Sequence, residues 1–142
     1  MRLDDFLKNA EQAHLAPTKP VAFKAIGLTK DRQPFTFDAT AQLVFVDEEL
    51  RTKALREARQ EETSEDLIRL SLSYKILLLA LRDATDPVVQ FANDVTQLKK
   101  CLVSPVATRL MGEYSRFLDA EFPDVVDDAQ ASEVAAEAEK NS

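Results

Sequence analysis

The spacing of the apolar residues changes near Asp47, and this change constrains the fold more than any other feature of the sequence. Before Asp47, apolar and polar residues alternate, as in a half-buried strand; the apolar positions are Val21, Phe23, Ala25, Phe35, Phe37 and Ala39. After it, apolar residues recur every three or four positions, as on one face of a helix. One continuous element cannot have both periods, so the sequence predicts an α+β fold that is mostly helical.

A polar run from Gly27 to Pro34 separates the two alternating segments. It is too long for a two-residue turn, so we predict an antiparallel β-hairpin over about residues 21–46 with an extended loop. The second strand could continue through Phe45 and Val46. The phenylalanines at 23, 35, 37 and 45 are expected in the core of the strands, because no basic groove accompanies them as a base-stacking platform requires.

Helix-start signals recur along the rest of the chain and predict a bundle of three to four helices over about residues 48–121. Each signal places a capping side chain, an acidic first turn or a proline where helices begin: Asp47, Thr63 or Ser64, Asp94 with Gln97, and Ser104-Pro105. A short amphipathic helix is also expected near the N terminus, where Leu3, Phe6, Leu7 and Ala10 have helical spacing.

The chain of 142 residues has the length of one domain, which we place at residues 1–123. The net charge is −7, and residues 124–142 contribute −5 of it, with six acidic groups and one basic group. This segment has too little large apolar surface to offset the entropy of ordering it. We therefore expect a mobile acidic tail outside the folded core.

Six consecutive apolar residues run from Ile76 to Leu81. On a helix such a run faces every direction and must be covered on every side, either by the protein's own fold or by a partner. Periodicity does not separate these two possibilities. Such a run is more often a buried central helix than an interface. We predict that the run is buried and that another protein chain supplies part of its cover, with Ile76, Leu78 and Leu79 as the partner-binding residues.

No residue pattern indicates catalysis, a cofactor or a metal ion. The single histidine, His14, lacks convergent partners, and Cys101 is expected to be a partly buried structural cysteine. The pair Asp127-Asp128 lacks the glycine and the oxygen spacing of a calcium loop. The sequence therefore predicts a protein that is not an enzyme.

Composition also restricts the partners. Without a basic stripe the chain has no means of neutralising several phosphates, so nucleic-acid binding is not expected. The longest apolar run has six residues, whereas a membrane span needs roughly 20. A single cysteine and the lack of a signal-peptide pattern indicate a cytosolic protein.

In its order of elements the chain resembles the tail assembly chaperones of long-tailed bacteriophages. Their strand pair and first helices are followed by a stretch similar to Ala80–Ala92, which reads ALRDATDPVVQFA here. A short helix similar to Asp94–Leu102 and a longer one similar to Leu110–Leu118 then lead to a proline such as Pro123. The resemblance covers about residues 20–123 and consists of spacing and residue type.

This resemblance implies a non-enzymatic assembly factor that binds the tape measure protein, keeps it soluble and helps to recruit the tail tube protein. It also implies self-association into a homo-oligomer, a location in the host cytoplasm and absence from the mature virion. Two alternatives remain open from the sequence. One is a structural virion or head-to-tail connector subunit, and the other is an unrelated bacterial protein-binding adaptor.

Overall fold

A computed structural model describes residues 2–4 and 16–121 of the chain, and it confirms the predicted α+β class. Most of the predicted N-terminal helix, His14, the acidic tail and Asp127-Asp128 lie outside the described residues. The elements in chain order are β1 (Lys19–Leu28), β2 (Pro34–Leu43), α1 (Glu48–Glu61), α2 (Glu65–Ala80), β3 (Leu81–Asp83), α3 (Val95–Cys101) and α4 (Ser104–Glu121).

The sheet has the order β1-β2-β3, and both neighbouring pairs are antiparallel. The predicted hairpin is confirmed: β1 and β2 pair without interruption from Lys19 opposite Leu43 to Leu28 opposite Pro34. At the turn, the Arg32 amide donates to the Thr29 carbonyl over 2.9 Å, and Arg32 adopts the left-handed conformation with φ of 61°.

The second strand ends at Leu43 rather than continuing to Val46. Beyond Leu43 the pairing with β1 ends, and the backbone bonds to the helices: the Val44 amide donates to the carbonyl of Ala80 at the end of α2. The Val46 amide donates to the Tyr114 hydroxyl of α4. These two contacts direct the chain out of the sheet toward the start of α1.

The third strand was not predicted, and it replaces the expected last residue of the leucine-rich helix. Leu81 is extended, with φ of −83° and ψ of 125°, and it begins β3, which pairs with β2 from Ala41 to Leu43. A strand of three residues is too short to show a period in the sequence.

Three of the predicted helix starts are confirmed by their capping contacts. The side chains of Asp47, Ser64 and Asp94 accept from the backbone amides of Leu50, Leu67 and Gln97, respectively. Each cap satisfies one of the amides that has no partner within the helix. The last helix begins at Ser104, as its Ser-Pro pair predicts.

The core lies between one face of the sheet and helices α2, α3 and α4. The sheet supplies small and branched side chains, and the helices supply larger ones; fully buried members include Ala25, Leu43, Leu77, Leu98, Leu102 and Ala107. Phe91, from the segment before α3, packs edge-on against Phe23 of β1 with a ring-centroid distance of 5.5 Å.

The expectation that all four hairpin phenylalanines lie in the core was wrong for three of them. Phe23 is buried, but Phe35 and Phe37 are 43% and 41% exposed, and Phe45 is also exposed. Phe35 and Phe37 lie on the core-facing side of the sheet, in line with buried Ala39 and Ala41. They are exposed because the helices cover only the half of the hairpin farther from the turn.

Candidate protein-binding groove

The Ile76–Leu81 run is divided between two elements and two environments. Helix α2 ends at Ala80, and Leu81 belongs to β3. The domain's own core encloses Ile76, Leu77, Ala80 and Leu81, whereas Leu78 and Leu79 are only half-buried. The chain's own fold therefore covers most of the run and leaves two adjacent leucines partly accessible.

Leu78 and Leu79 line a shallow depression of about 180 Å³ between α1, α2 and the start of α3, which we call the leucine groove. Its lining residues are Leu50, Lys53, Ala54, Glu57, Lys75, Leu78, Leu79 and Val95. Helix α1 lies against α2 through small residues, among them buried Ala54 and Ala58, and Ala54 also lines the depression. Leu50, one turn before Ala54, is 41% exposed at its edge.

Ile76 does not share this groove with Leu78 and Leu79. It lines a separate depression of about 190 Å³, formed with Glu48, Arg51, Thr52, Leu55 and Leu72. Leu78 follows Ile76 by two residues, which is about 200° around a helix, so these two side chains point in nearly opposite directions. The three predicted partner-binding residues are thus not brought together as one surface.

Sequence reasoning did not select Leu50 and Val95 as site residues. Leu50 lies on the apolar stripe that the helical spacing of α1 indicates, so its general role could be predicted. Its place in the same groove as Leu78 depends on how α1 packs on α2. Val95 comes from a third element, and no local pattern indicates that it lines this groove.

An ion-pair cluster borders the leucine groove. The Lys75 ammonium lies 2.9 Å from a Glu61 carboxylate oxygen and 3.7 Å from one of Glu57, and its side chain is only 14% exposed. The hydrogen bond from Lys75 lowers the pKa of Glu61, which also accepts from the Ser71 hydroxyl. The apolar floor of the groove therefore has charges of both signs at its border.

The described residues offer little for bond-making chemistry. Within 2–4 and 16–121, no group of three or more histidine, cysteine, aspartate or glutamate residues is placed to hold a metal ion. Cys101 is half-buried, and burial raises the pKa of its thiol, which disfavours the reactive thiolate. Nor is any helix among these residues long and apolar enough to span a membrane.

A more polar depression lies between α2 and α4, with Asp66, Arg69, Ser73, Ser104 and Thr108 among its lining residues. Two of its three hydroxyl groups donate hydrogen bonds within their own helices. Ser73 donates to the Arg69 carbonyl and Thr108 donates to the Ser104 carbonyl, each over 3.0 Å. The leucine groove is therefore the stronger candidate for a binding surface.

No protein-family model matches the chain, and neither the comparison with curated proteins nor the comparison with solved structures gives a match. The functional argument accordingly depends on the geometry of the leucine groove and on the resemblance described for the sequence.

Proposed function

We propose that this protein is a non-enzymatic tail assembly chaperone of a long-tailed bacteriophage, and that it binds the tape measure protein through the leucine groove. The observation that supports this proposal is the pair Leu78 and Leu79, which stay partly accessible and line a concave surface together with Leu50. Accessible apolar side chains in a concave surface are typical of sites that receive apolar side chains of another protein.

The size of the leucine groove favours a protein partner over a small molecule. Pockets for drug-sized ligands measure about 300–1,000 Å³ and enclose most of the ligand. The leucine groove measures about 180 Å³, which suits one or two side chains projecting from a larger surface. An amphipathic helix presenting apolar side chains one turn apart fits this description.

The charged border of the groove is suited to a complex that forms and dissociates. Exposed ion pairs contribute only about 0–1 kcal/mol, so charged groups of a partner that meet Lys53 or Glu57 add selectivity rather than much affinity. A chaperone has to release its client, and a small apolar contact with a polar border favours release.

The identity of the client and the place of action come from the resemblance alone. In this proposal the protein keeps the tape measure protein soluble in the host cytoplasm, helps to recruit the tail tube protein, and leaves before the virion matures. It acts as a homo-oligomer and uses no cofactor or metal ion.

The proposal is tested by co-expressing the chain with the tape measure protein encoded beside its gene. We expect the tape measure protein to be soluble and to co-purify with the chain, and to precipitate when the chain is omitted. A tape measure protein that stays insoluble in both cases would contradict the proposal. So would recovery of this chain as a stable component of purified virions, which would favour a connector subunit.

A further inference from the structure

The two outer edges of the sheet differ in whether other backbone groups bond to them. The outer edge of β3 is covered by the chain itself: the Asp83 amide donates to the Val89 carbonyl over 2.8 Å, and the Phe91 amide donates to the Leu81 carbonyl over 3.2 Å. Arg82 and Gln90 form a β-bridge between these two bonds. Residues 89–91 thus satisfy the backbone of β3.

Within residues 2–4 and 16–121, nothing covers the outer edge of β1 in this way. In an antiparallel ladder, the backbone amides of successive residues point alternately to the two sides of a strand. The Val44 amide points to the β3 side of the sheet, so the amides of the odd-numbered residues of β2 point to β1. Odd-numbered residues of β2 pair with odd-numbered residues of β1, so the even-numbered amides of β1 point away from β2. The amides on the free edge are those of Ala22, Lys24, Ile26 and Leu28. Among the described residues, no backbone group bonds to these amides.

The charged residue that could keep another strand from pairing with β1 already has a partner of opposite charge. A lysine within an edge strand normally prevents pairing with another strand, because its charge would have to be buried or matched. Apart from Lys19 at its start, β1 has one charged residue, Lys24, whose ammonium lies 2.5 Å from an Asp38 oxygen on β2. The charge is therefore matched within the hairpin.

The helical layer covers only one end of the hairpin. At the covered end, Glu113 of α4 accepts a hydrogen bond from Lys19 over 2.6 Å, and Phe23 is buried. At the other end, Phe35 lies across Gly27, so close that a Cβ on that glycine would be 2.6 Å from the ring, and both Phe35 and Phe37 are exposed. The covered and uncovered parts of the apolar face thus lie at opposite ends of one strand.

We propose that two copies of this chain pair antiparallel through the outer edges of their β1 strands, joining two three-stranded sheets into one of six. Antiparallel pairing places the uncovered end of each hairpin beside the helix-covered end of the other, so each copy extends the cover over the other's Phe35 and Phe37. A register centred on Phe23 keeps both apolar faces on the same side and sets Lys24 opposite Ala22 of the second copy, without facing lysines. This interface uses β1 and does not depend on the leucine groove or on its client.

Proline substitution on the two edges of the hairpin tests the pairing. Sedimentation equilibrium of the parent protein should give about twice the chain mass of 15.9 kDa. Ala22→Pro removes one outward amide of β1 while leaving the bonds to β2 intact, and it should give a monomer with unchanged helix content by circular dichroism. The matched control is Thr36→Pro, whose amide lies on the opposite edge of the hairpin, and it should remain a dimer.

Amide hydrogen exchange provides a readout that does not depend on a variant folding. In the parent at high concentration, the amides of Ala22, Lys24 and Ile26 should exchange at least about tenfold more slowly than in dilute solution, because pairing protects them. A parent that is monomeric at all concentrations would overturn the proposal. It would also be overturned by a dimer in which these amides exchange freely, or by one that Thr36→Pro dissociates and Ala22→Pro does not.

Discussion

At the scale of single residues, two buried tyrosines fasten the helices to the rest of the domain. The Tyr74 hydroxyl of α2 donates to the Leu102 carbonyl over 2.7 Å, and the Tyr114 hydroxyl of α4 accepts from the Val46 amide over 3.3 Å. Burial raises the pKa of both phenols above the ordinary value of 10.0. In the folded protein both side chains are therefore held in the neutral form.

This shift predicts a loss of stability in alkali. A group whose pKa is higher in the folded state contributes its full stability below the unfolded pKa, and that contribution is lost as the pH rises through the folded pKa. We expect tyrosine ionisation, followed by ultraviolet absorbance, to have its midpoint above pH 10.0 and to coincide with loss of helix by circular dichroism. The chain has only two tyrosines, so the signal reports these residues alone. Ionisation of both at the ordinary pKa, with the helices intact, would contradict this packing.

At the scale of elements, the sequence predicted those strands and helices that have either a long repeating pattern of apolar residues or a capping side chain at their start. The β1–β2 hairpin and the starts of α1, α2, α3 and α4 could all be predicted, because alternation and capping side chains are local properties. The strand β3 could not, because Leu81–Asp83 takes its conformation from pairing with β2. Alternation also indicated the face on which Phe35 and Phe37 lie, but not how far the helices extend over that face.

In the candidate site, too, some features follow from local sequence and others only from tertiary packing. The apolar run on α2 indicated that Leu78 and Leu79 need cover from elsewhere, but the contribution of α1 and α3 arises only from tertiary packing. Ile76 was grouped with the two leucines by sequence proximity, although the helical period places Ile76 and Leu78 on nearly opposite sides of α2. The use of this surface for a partner stays a prediction.

The cap of α1 is a testable element-scale feature, because it fixes the turn that carries Leu50. The Asp47 carboxylate accepts from the Leu50 amide over 3.0 Å. Asp47→Ala should lower the free energy of unfolding by about 1 kcal/mol, as measured by urea denaturation, since that amide loses its partner. Asp47→Asn is the matched control and should stay close to the parent, because asparagine caps helices about as well. Equal losses in the two variants would show that the charge at this position matters and the cap does not.

At the scale of the whole molecule, the two proposed interaction surfaces belong to different elements. The leucine groove is formed by α1, α2 and the start of α3, whereas the proposed self-pairing edge belongs to β1. A client and a second copy can therefore be bound through separate residues. This arrangement suits an assembly factor that presents several binding sites to one long partner.

The most direct test of the central claim is the amount of tape measure protein that co-purifies with the co-expressed chain when one exposed leucine is changed inside or outside the leucine groove. Leu50 lines the groove and is 41% exposed, and Leu67 lies elsewhere on α2 and is 49% exposed, so the two are matched in residue type and accessibility. We expect Leu50→Glu to lower the recovery of soluble tape measure protein about tenfold or more, while Leu67→Glu recovers as much as the parent does. Equal recovery with Leu50→Glu and the parent, or an equal loss with both variants, would contradict the claim.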